Sequence, residues 1–258
     1  MVNWNGLDLP ESYFHDDDVY IIHGDCVKVM PEMPDKSIGM VLCDLPYGTT
    51  QCKWDTVIPF DILWAMYHKL TKIGTAIVLF GSEPFSSNLR VSNLKQFKYD
   101  WIWRKSRPNG FLNSKIMPMK SHETVSVFCQ TVATYNPQGL RLKAKQNRNT
   151  GVENVYGAVK KNFVQTVTYT GYPFSVIDFN NPTHPVHPTE KPIDLCEYLI
   201  KTHSTDKDIV LDNCLGSGTT AIASSKTNRK CIGIEISEEY CELSAIRYLR
   251  SLADKEEE

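Results

Sequence analysis

The sequence predicts an α/β protein whose core is a doubly wound, mostly parallel β-sheet. Short apolar segments of four to six residues, typical of buried strands, alternate with segments that have the apolar spacing of helices. Near the C-terminal end, a strand leads into a glycine-rich turn and then a helix, an arrangement found where such sheets bind ligands. A length of 258 residues suits one domain of this kind that carries an insertion.

Seven strands and four helices are predicted, in an order that alternates over most of the chain. The predicted strands are residues 19–23, 38–43, 75–80, 99–103, 124–129, 209–212 and 230–235. The predicted helices are residues 59–72, 192–201, 219–226 and 238–252. Pro192 suits the first turn of a helix and Gly74 ends another, which supports two of these boundaries.

One long segment, residues 104–186, interrupts this alternation. It is rich in Asn, Gly and Pro and holds eleven Lys or Arg against three acidic residues, a net charge of +8 in a chain of net charge −2. A basic region on an otherwise acidic protein suggests a polyanionic partner, although a solvated charged surface has the same composition. We predict that residues 131–186 form an inserted recognition region between residues 1–130 and 187–258, which together make the main domain.

Composition and local patterns argue against several classes of protein. The longest apolar runs are strand-sized, and residues 1–5 lack the character of a signal peptide, so neither a membrane span nor secretion is predicted. The eight cysteines are scattered without metal-ligand spacing, as expected of free thiols in a cytoplasmic protein. His184 and His187 have no third ligand nearby in the sequence, and we predict no metal site.

The glycine-rich turn predicts a cofactor site. A Gly-x-Gly turn alone is typical of any tight strand-to-helix connection, and no Gly-Lys-Ser/Thr follows that would make it a P-loop. About twenty residues further on, however, a second strand ends in Glu235, which can accept hydrogen bonds from ribose hydroxyls. We therefore predict a nucleotide-like cofactor. The residues predicted to bind it are Asp212, Gly216, Ser217, Gly218, Thr219, Thr220 and Glu235.

A second motif, Asp44-Leu45-Pro46-Tyr47, follows the predicted strand 38–43. In isolation it is an ordinary turn sequence, but it lies at the carboxyl edge of the sheet, where open α/β sheets bind ligands. A carboxylate there can accept a hydrogen bond from an amino group whose lone pair is delocalised into a ring, and so favour a tetrahedral, nucleophilic nitrogen. Pro46 restricts the backbone, and Tyr47 offers a ring face for stacking. Asp44, Pro46 and Tyr47 are the predicted catalytic residues.

The two motifs together resemble those of the β-class amino methyltransferases of DNA, in which the catalytic motif precedes the recognition region and the glycine loop comes last. The resemblance covers nearly the whole chain. Two positions depart from the family pattern: Leu45 replaces the first of two prolines, and Leu215 stands where the glycine loop usually begins with Phe. The resemblance implies a seven-stranded Rossmann-like methyltransferase sheet, with residues 1–130 as its catalytic half and residues 187–258 as its cofactor-binding half.

The resemblance also implies the cofactor, S-adenosylmethionine, and further residues that bind it. Asp25 lies in a segment similar to the one that contacts the cofactor adenine, and the His-Pro-Thr-Glu-Lys-Pro segment is similar to one that helps bind the methionine end. Gly81-Ser82-Glu83 stands where the family lines the cofactor and base pocket. The residues implied in this way are Asp25, Ser82, Thr189, Glu190, Lys191 and Pro192.

The substrate implied by the resemblance is an exocyclic amino group in double-stranded DNA. Family members whose catalytic motif begins with Asp mostly methylate adenine, so Asp44 favours adenine over cytosine. A homodimer and a restriction endonuclease partner both fit the family, and the sequence itself shows neither. The basic residues predicted to contact DNA are Arg104, Lys105, Arg141, Lys143, Lys145 and Arg148.

Three alternatives stay open at this point. They are a methyltransferase of the cytosine amino group in DNA, a methyltransferase of RNA or protein amide groups, and a nucleic-acid-binding module that retains the fold without catalysis. The motif order and the basic segment favour DNA, and the intact Asp44 and Tyr47 favour an active enzyme. A dehydrogenase would leave the Asp-Leu-Pro-Tyr motif unexplained.

Overall fold

The computed structural model describes residues 1–49, 55–149, 164–186 and 190–256. The chain divides into two compact units, one made of Met1–Asn136 with Ser175–Glu258 and the other of Pro137–Phe174. No helix in the described ranges has both the length and the apolar character needed to cross a membrane.

The seven predicted strands and the four predicted helices are present in the predicted order, together with six further strands and two further helices in the described residues. The strands are β1 (Val2–Trp4), β2 (Leu7–Leu9), β3 (Phe14–His15), β4 (Val19–His23), β5 (Ile38–Cys43), β6 (Thr71–Gly81), β7 (Phe97–Asn109), β8 (Lys120–Phe128), β9 (Arg141–Asn149), β10 (Val164–Thr170), β11 (Val176–Phe179), β12 (Ile209–Asp212) and β13 (Lys230–Glu235). The helices are α1 (Cys26–Val29), α2 (Phe60–Leu70), α3 (Phe85–Ser92), α4 (Ile193–His203), α5 (Thr219–Lys226) and α6 (Glu238–Glu256).

The predicted doubly wound, mostly parallel sheet is confirmed. The strands of the central sheet lie in the order β11-β7-β8-β6-β5-β12-β13-β4-β3. Neighbours pair in parallel except at β7–β8, β8–β6 and β4–β3. The sheet thus has nine strands in the described residues instead of the seven predicted. The two further strands, β3 and β11, are short and lie at the edges of the sheet, where partial exposure leaves no continuous apolar run.

Helices cover both faces because strand side chains alternate in direction. All six residues of β5 are buried. Val41 and Cys43 pack in a cluster that includes residues of α2, whereas Met40 and Leu42 pack in a cluster that includes residues of α4. A strand that buries both faces is typical of the centre of a parallel sheet, and it explains the uninterrupted apolar sequence of residues 38–43.

The carboxyl ends of the central parallel strands form one edge of the sheet. Strands β5, β12, β13 and β4 are consecutive neighbours and run in the same direction. Asp44 follows β5, whereas Asp212 and Glu235 are the last residues of β12 and β13. Side chains from motifs that are far apart in sequence are therefore brought to the same edge.

The smaller unit is an antiparallel pair of strands, β9 and β10. It lies within residues 131–186, the segment predicted to be inserted, whereas residues 175–186 belong to the larger unit. Arg141 and Lys143 are exposed on β9. Lys145 and Arg148 are also part of β9, and their side chains lie outside the described part of the structure.

Candidate active site

A cavity of about 740 Å³ lies at the carboxyl edge of the sheet. Its size falls within the range of pockets that bind small ligands and cofactors. Most of the residues predicted for catalysis and cofactor binding line it, and these are Asp25, Asp44, Pro46, Tyr47, Glu190, Lys191, Asp212, Gly216, Ser217, Thr219, Thr220 and Glu235. The structure therefore brings together residues from both motifs, which are separated by more than half of the chain.

Asp44 is held from two sides. Its Oδ1 accepts a hydrogen bond of 2.6 Å from the Tyr47 hydroxyl, and its Oδ2 contacts the Lys191 ammonium. The Tyr47 ring stacks on Phe85 with the ring centroids 4.8 Å apart. Burial and the Asp44 charge raise the pKa of Tyr47, so its hydroxyl stays protonated and keeps donating.

The loop after Tyr47 is fixed by a second carboxylate, that of Asp55. Asp55 accepts hydrogen bonds from the backbone N–H groups of Gly48 and Thr49, both at 2.8 Å. Gly48 has a φ of 68°, a left-handed conformation that favours glycine. The Asp-Leu-Pro-Tyr motif is therefore held in one conformation between a buried strand and this anchored turn.

Lys191 and two further side chains extend the contacts of Asp44 along the sheet edge. The Lys191 ammonium lies 3.5 Å from Oε2 of Glu123, a residue of β8, and Lys105 of β7 contacts Oε1 of the same carboxylate. Burial lowers the pKa of Lys191, but the Asp44 and Glu123 charges outweigh it and the pKa is raised. Burial raises the pKa of Glu123, but the two ammonium groups outweigh it and the pKa is lowered. Lys191 and Glu123 are therefore charged at neutral pH.

Asp212 has a different environment on the neighbouring strand. It is buried, and its Oδ1 accepts a hydrogen bond of 3.1 Å from the Cys214 N–H. Burial raises the pKa of Asp212 to about 6, and hydrogen bonding from Thr220 offsets only part of this effect. Within the described ranges Asp212 has no ion pair with a lysine, arginine or histidine. A cationic ligand in the cavity would favour the charged form of this carboxyl.

The glycine loop and Glu235 are joined by backbone hydrogen bonds. The Gly216 N–H donates to Glu235 Oε2 and the Ser237 N–H donates to Oε1, both at 2.8 Å. Gly218 precedes α5 with a φ of 84°, and a Cβ at that position would lie 2.7 Å from Cβ of Ser244. Only glycine fits this turn, which brings the N-terminus of α5 to the cavity.

Leu215 occupies the position where the family pattern has Phe. Its side chain is buried, and a Cβ on Gly233 would lie 2.5 Å from the Leu215 Cδ2 atom. Leu215 therefore packs directly against the backbone of β13, which leaves the start of the glycine loop well supported.

Arg247 of α6 is a functional candidate that no sequence motif singled out. Its guanidinium donates to the Ser217 carbonyl at 2.5 Å and to the Ser217 hydroxyl at 2.8 Å. It also donates to Glu190 Oε1 at 2.5 Å, while Glu190 Oε2 accepts a hydrogen bond from the Val186 N–H. Arg247 thus connects the glycine loop to the segment before α4, two regions predicted to hold the cofactor.

The other predicted residues have different surroundings. Ser82 accepts a hydrogen bond of 2.6 Å from Lys120, Pro192 precedes α4, and Thr189 lies outside the described residues. Lys105, predicted to contact DNA, has only 6% of its side chain exposed and is paired with Glu123. This pairing leaves its ammonium engaged inside the protein instead of at a phosphate. Arg104 forms an exposed ion pair with Asp178.

Comparison with known proteins gives relatives of the same kind over most of the chain. A family model described as DNA methylase matches residues 38–246. The chain is 27% identical over 245 residues to the Type II methyltransferase M.HpaI of Haemophilus parainfluenzae, covering 89% of this chain and 74% of that protein. It is 27% identical over 246 residues to the DNA adenine methyltransferase YhdJ of Escherichia coli (strain K12), covering 88% of this chain and 81% of that protein.

Solved structures of DNA methyltransferases share the fold. The M1.HpyAVI–SAM complex has a TM-score of 0.60 at 22% identity, covering 89% of this chain and 99% of that chain. The PvuII DNA methyltransferase, which is cytosine-N4-specific, has a TM-score of 0.67 at 17% identity, covering 90% and 86%. The fold is therefore the Rossmann-like fold of these methyltransferases. Because the family model spans most of the sequence, the chain belongs to the DNA methylase family that modifies the amino groups of adenine or cytosine with S-adenosylmethionine as methyl donor.

Proposed function

We propose that this protein transfers a methyl group from S-adenosylmethionine to the exocyclic amino group of adenine in double-stranded DNA. One observation carries the proposal: the Asp44 carboxylate, oriented by Tyr47, lines the same cavity as the glycine loop, Asp212 and Glu235. A hydrogen-bond acceptor for an amino group and a site for a nucleoside cofactor thus share one cavity.

The amino group of a base is a weak nucleophile because its lone pair is delocalised into the ring. Each oxygen of a carboxylate has more than one acceptor site, so Asp44 can accept an amino N–H while keeping its contacts to Tyr47 and Lys191. The Tyr47 ring, supported by Phe85, lines the cavity where an extruded base would stack. When the methyl group passes from the sulfonium sulfur, which is left as a neutral thioether, to the amino nitrogen, that nitrogen gives up one proton, and the Asp44 carboxylate is placed to receive it.

The cavity fits S-adenosylmethionine, which carries an ammonium and a sulfonium group and, when bound, supplies an electrophilic methyl group. Asp212 is a buried acid whose pKa is raised to about 6, and a cation beside it would relieve the cost of ionisation. Glu235, already oriented by two backbone N–H groups, has acceptor sites left for ribose hydroxyls. The residues we assign to the cofactor site are Asp25, Glu190, Asp212, Gly216, Ser217, Gly218, Thr219, Thr220 and Glu235.

Adenine is preferred to cytosine on two grounds. The catalytic motif begins with Asp44, whereas cytosine amino methyltransferases of the family more often begin with Ser. YhdJ, at 27% identity, is named an adenine methyltransferase, while the cytosine-N4-specific PvuII enzyme is 17% identical. The predicted cytoplasmic location, homodimer and restriction endonuclease partner remain predictions.

We assign DNA contacts to the exposed basic residues of β9 and to Arg104. Arg141 and Lys143 are exposed, and cations of this kind neutralise backbone phosphates. Residues 131–186, which include the small unit, are the proposed recognition region. Replacing Arg141, Lys143 and Lys145 together with Ala should weaken DNA binding and flatten its salt dependence, as measured by fluorescence anisotropy at several salt concentrations. An unchanged salt dependence would move the DNA-binding surface elsewhere.

The decisive experiment is methyl transfer from isotopically labelled S-adenosylmethionine to unmethylated duplex DNA, followed by digestion and mass spectrometry of the nucleosides. N6-methyladenine is the expected product. N4-methylcytosine would keep the mechanism and overturn the choice of base. If the folded protein binds the cofactor but methylates no DNA, the proposal fails, and assays with RNA and protein substrates would follow.

A further inference from the structure

Four charged side chains follow one another along the carboxyl edge of the sheet, from β7 to the end of β5. In spatial order they are Lys105, Glu123, Lys191 and Asp44. The exposed fractions of the first three side chains are 6%, 12% and 8%, and that of Asp44 is 24%. Charges alternate in sign along the row, so the row is neutral as a whole.

Such a row costs free energy to bury, because each ion loses its hydration when the chain folds. Aromatic rings recover part of this cost, since the Lys191 ammonium lies 5.2 Å from the centroid of Phe80 and the Lys105 ammonium 5.2 Å from that of Trp103. Apolar residues would fill the same space at lower cost. The row therefore calls for a reason beyond stability, and its contact with Asp44 supplies one.

The geometry explains how the row acts on Asp44. Tyr47 contacts one oxygen of the carboxylate and Lys191 the other, so the two contacts together fix the plane of the carboxylate. A long lysine side chain holds such a position only if its own ammonium is held. Glu123 does this: one of its oxygens is paired with Lys105, and the other, buried and without a hydrogen bond in the described residues, points to Lys191 at 3.5 Å.

We propose that Lys191 is a positioning residue that orients the Asp44 carboxylate for the target amino group, and that Glu123, supported by Lys105, holds Lys191 in place. This inference rests on the proposed function, because it concerns the group that accepts the amino hydrogen. It also gives Lys191 a role different from the cofactor contact implied by the family pattern. Glu123 and Lys105 thereby become parts of the base site although neither belongs to a motif identified in the sequence.

The test compares Lys191→Met and Glu123→Gln with the wild-type protein and with Lys201→Met. Lys201 is a suitable control because it forms an ion pair with Glu197 on α4, away from the cavity lining. For each protein, three quantities are measured: the single-turnover rate of methyl transfer at saturating DNA and cofactor, its pH profile, and the dissociation constant of S-adenosylmethionine. Thermal unfolding shows which variants are folded.

We expect Lys191→Met to lower the single-turnover rate by about 100-fold, the size of effect seen when a group that orients a reacting residue is lost. The acid limb of the pH–rate profile of this variant should move to higher pH, because a carboxylate without a neighbouring cation is protonated more readily. Glu123→Gln, which keeps the shape of the side chain, should lower the rate by about tenfold with little change in cofactor affinity. Lys201→Met should behave as wild type.

The outcomes separate this inference from the proposed function. If the wild-type protein methylates no DNA, the proposed function fails and the inference fails with it. If the wild type is active and folded Lys191→Met and Glu123→Gln match its rate and pH profile, only the inference is overturned. A Lys191→Met variant that loses cofactor affinity at an unchanged single-turnover rate would also overturn it, in favour of a cofactor contact. Should Lys191→Met fail to fold, Glu123→Gln decides by the same criteria.

Discussion

Asp44 and Asp212 lie at the ends of two neighbouring parallel strands and line one cavity, yet their surroundings differ. Asp44 is partly exposed and is paired with Lys191. Asp212 is buried, accepts a hydrogen bond from the Cys214 N–H, and forms no ion pair within the part of the chain that is described. Burial raises its pKa to about 6. One acid therefore has a cation supplied by the protein, and the other has none among the described residues.

This difference means that one sheet edge provides two kinds of site, one for a cationic cofactor and one for an uncharged base. A buried carboxylate without a cation is costly to ionise, and a cationic ligand that binds beside it lowers that cost. At Asp212 the ligand would provide the missing charge. Asp44 is oriented before any ligand binds, as expected of a group that must meet an uncharged amino group in a fixed geometry. Cofactor binding should therefore depend on the ionisation of Asp212, whereas the rate of transfer should depend on the orientation of Asp44.

The largest effect is expected from replacing the acid that contacts the base. Asp44→Ala should lower the rate of methyl transfer by about 1,000-fold or more, because the amino nitrogen loses the acceptor that makes it nucleophilic. The dissociation constant of S-adenosylmethionine, measured by calorimetry, should change little. Asp206→Asn is a matched control, since Asp206 is an exposed acid in an ion pair with Arg229. Transfer by Asp44→Ala at the wild-type rate would remove Asp44 from the catalytic site.

Substitution of Tyr47 should give the next largest effect. Two variants separate the stacking of its ring from the hydrogen bond of its hydroxyl. Tyr47→Ala removes both the ring that packs on Phe85 and the hydroxyl that donates to Asp44, and it should lower turnover by about 100-fold. Tyr47→Phe keeps the ring, and its loss should be about tenfold, near the value of one hydrogen bond to a charged group. Equal losses in both variants, measured as single-turnover rates, would mean that the ring does not support the base.

The role of Asp212 in cofactor binding is tested by the pH dependence of cofactor affinity. In the free protein the pKa of Asp212 is about 6, and the ionised form should bind the cationic cofactor better. As the pH falls below that value, binding requires loss of a proton, so the affinity should fall by up to about tenfold per pH unit. Asp212→Asn should bind more weakly at pH 7 and lose this dependence. An identical pH profile in the variant would assign the titration to another group.

Local motifs allowed the acids at the sheet edge to be found, but not the side chains that hold Lys191 against Asp44. Asp44, Asp212 and Glu235 were predictable because the carboxyl ends of adjacent parallel strands meet at one edge, and each acid follows an apolar strand segment. Glu123 and Lys105 were not, because their role depends on how β7 and β8 pair and on a lysine far along the chain. Lys105 has the local sequence of a surface cation after a strand, and only the extension of β7 to Asn109 and the Glu123 pairing show why it is buried.

Substitution of Arg247 tests how strongly cofactor binding depends on a contact between residues that are far apart in the sequence. Its guanidinium joins Ser217 of the glycine loop to Glu190, so Arg247→Met removes three hydrogen bonds and leaves Glu190 without its cation. We expect the dissociation constant of S-adenosylmethionine to rise by about fivefold, since the loop keeps its bond to Glu235 and one lost positioning contact is worth about 1 kcal/mol. The single-turnover rate at saturating cofactor should stay near the wild-type value. A fall in the rate without a loss of cofactor affinity would show that Arg247 acts on the base site. The separation between cofactor binding at Asp212 and catalysis at Asp44 would then be incomplete.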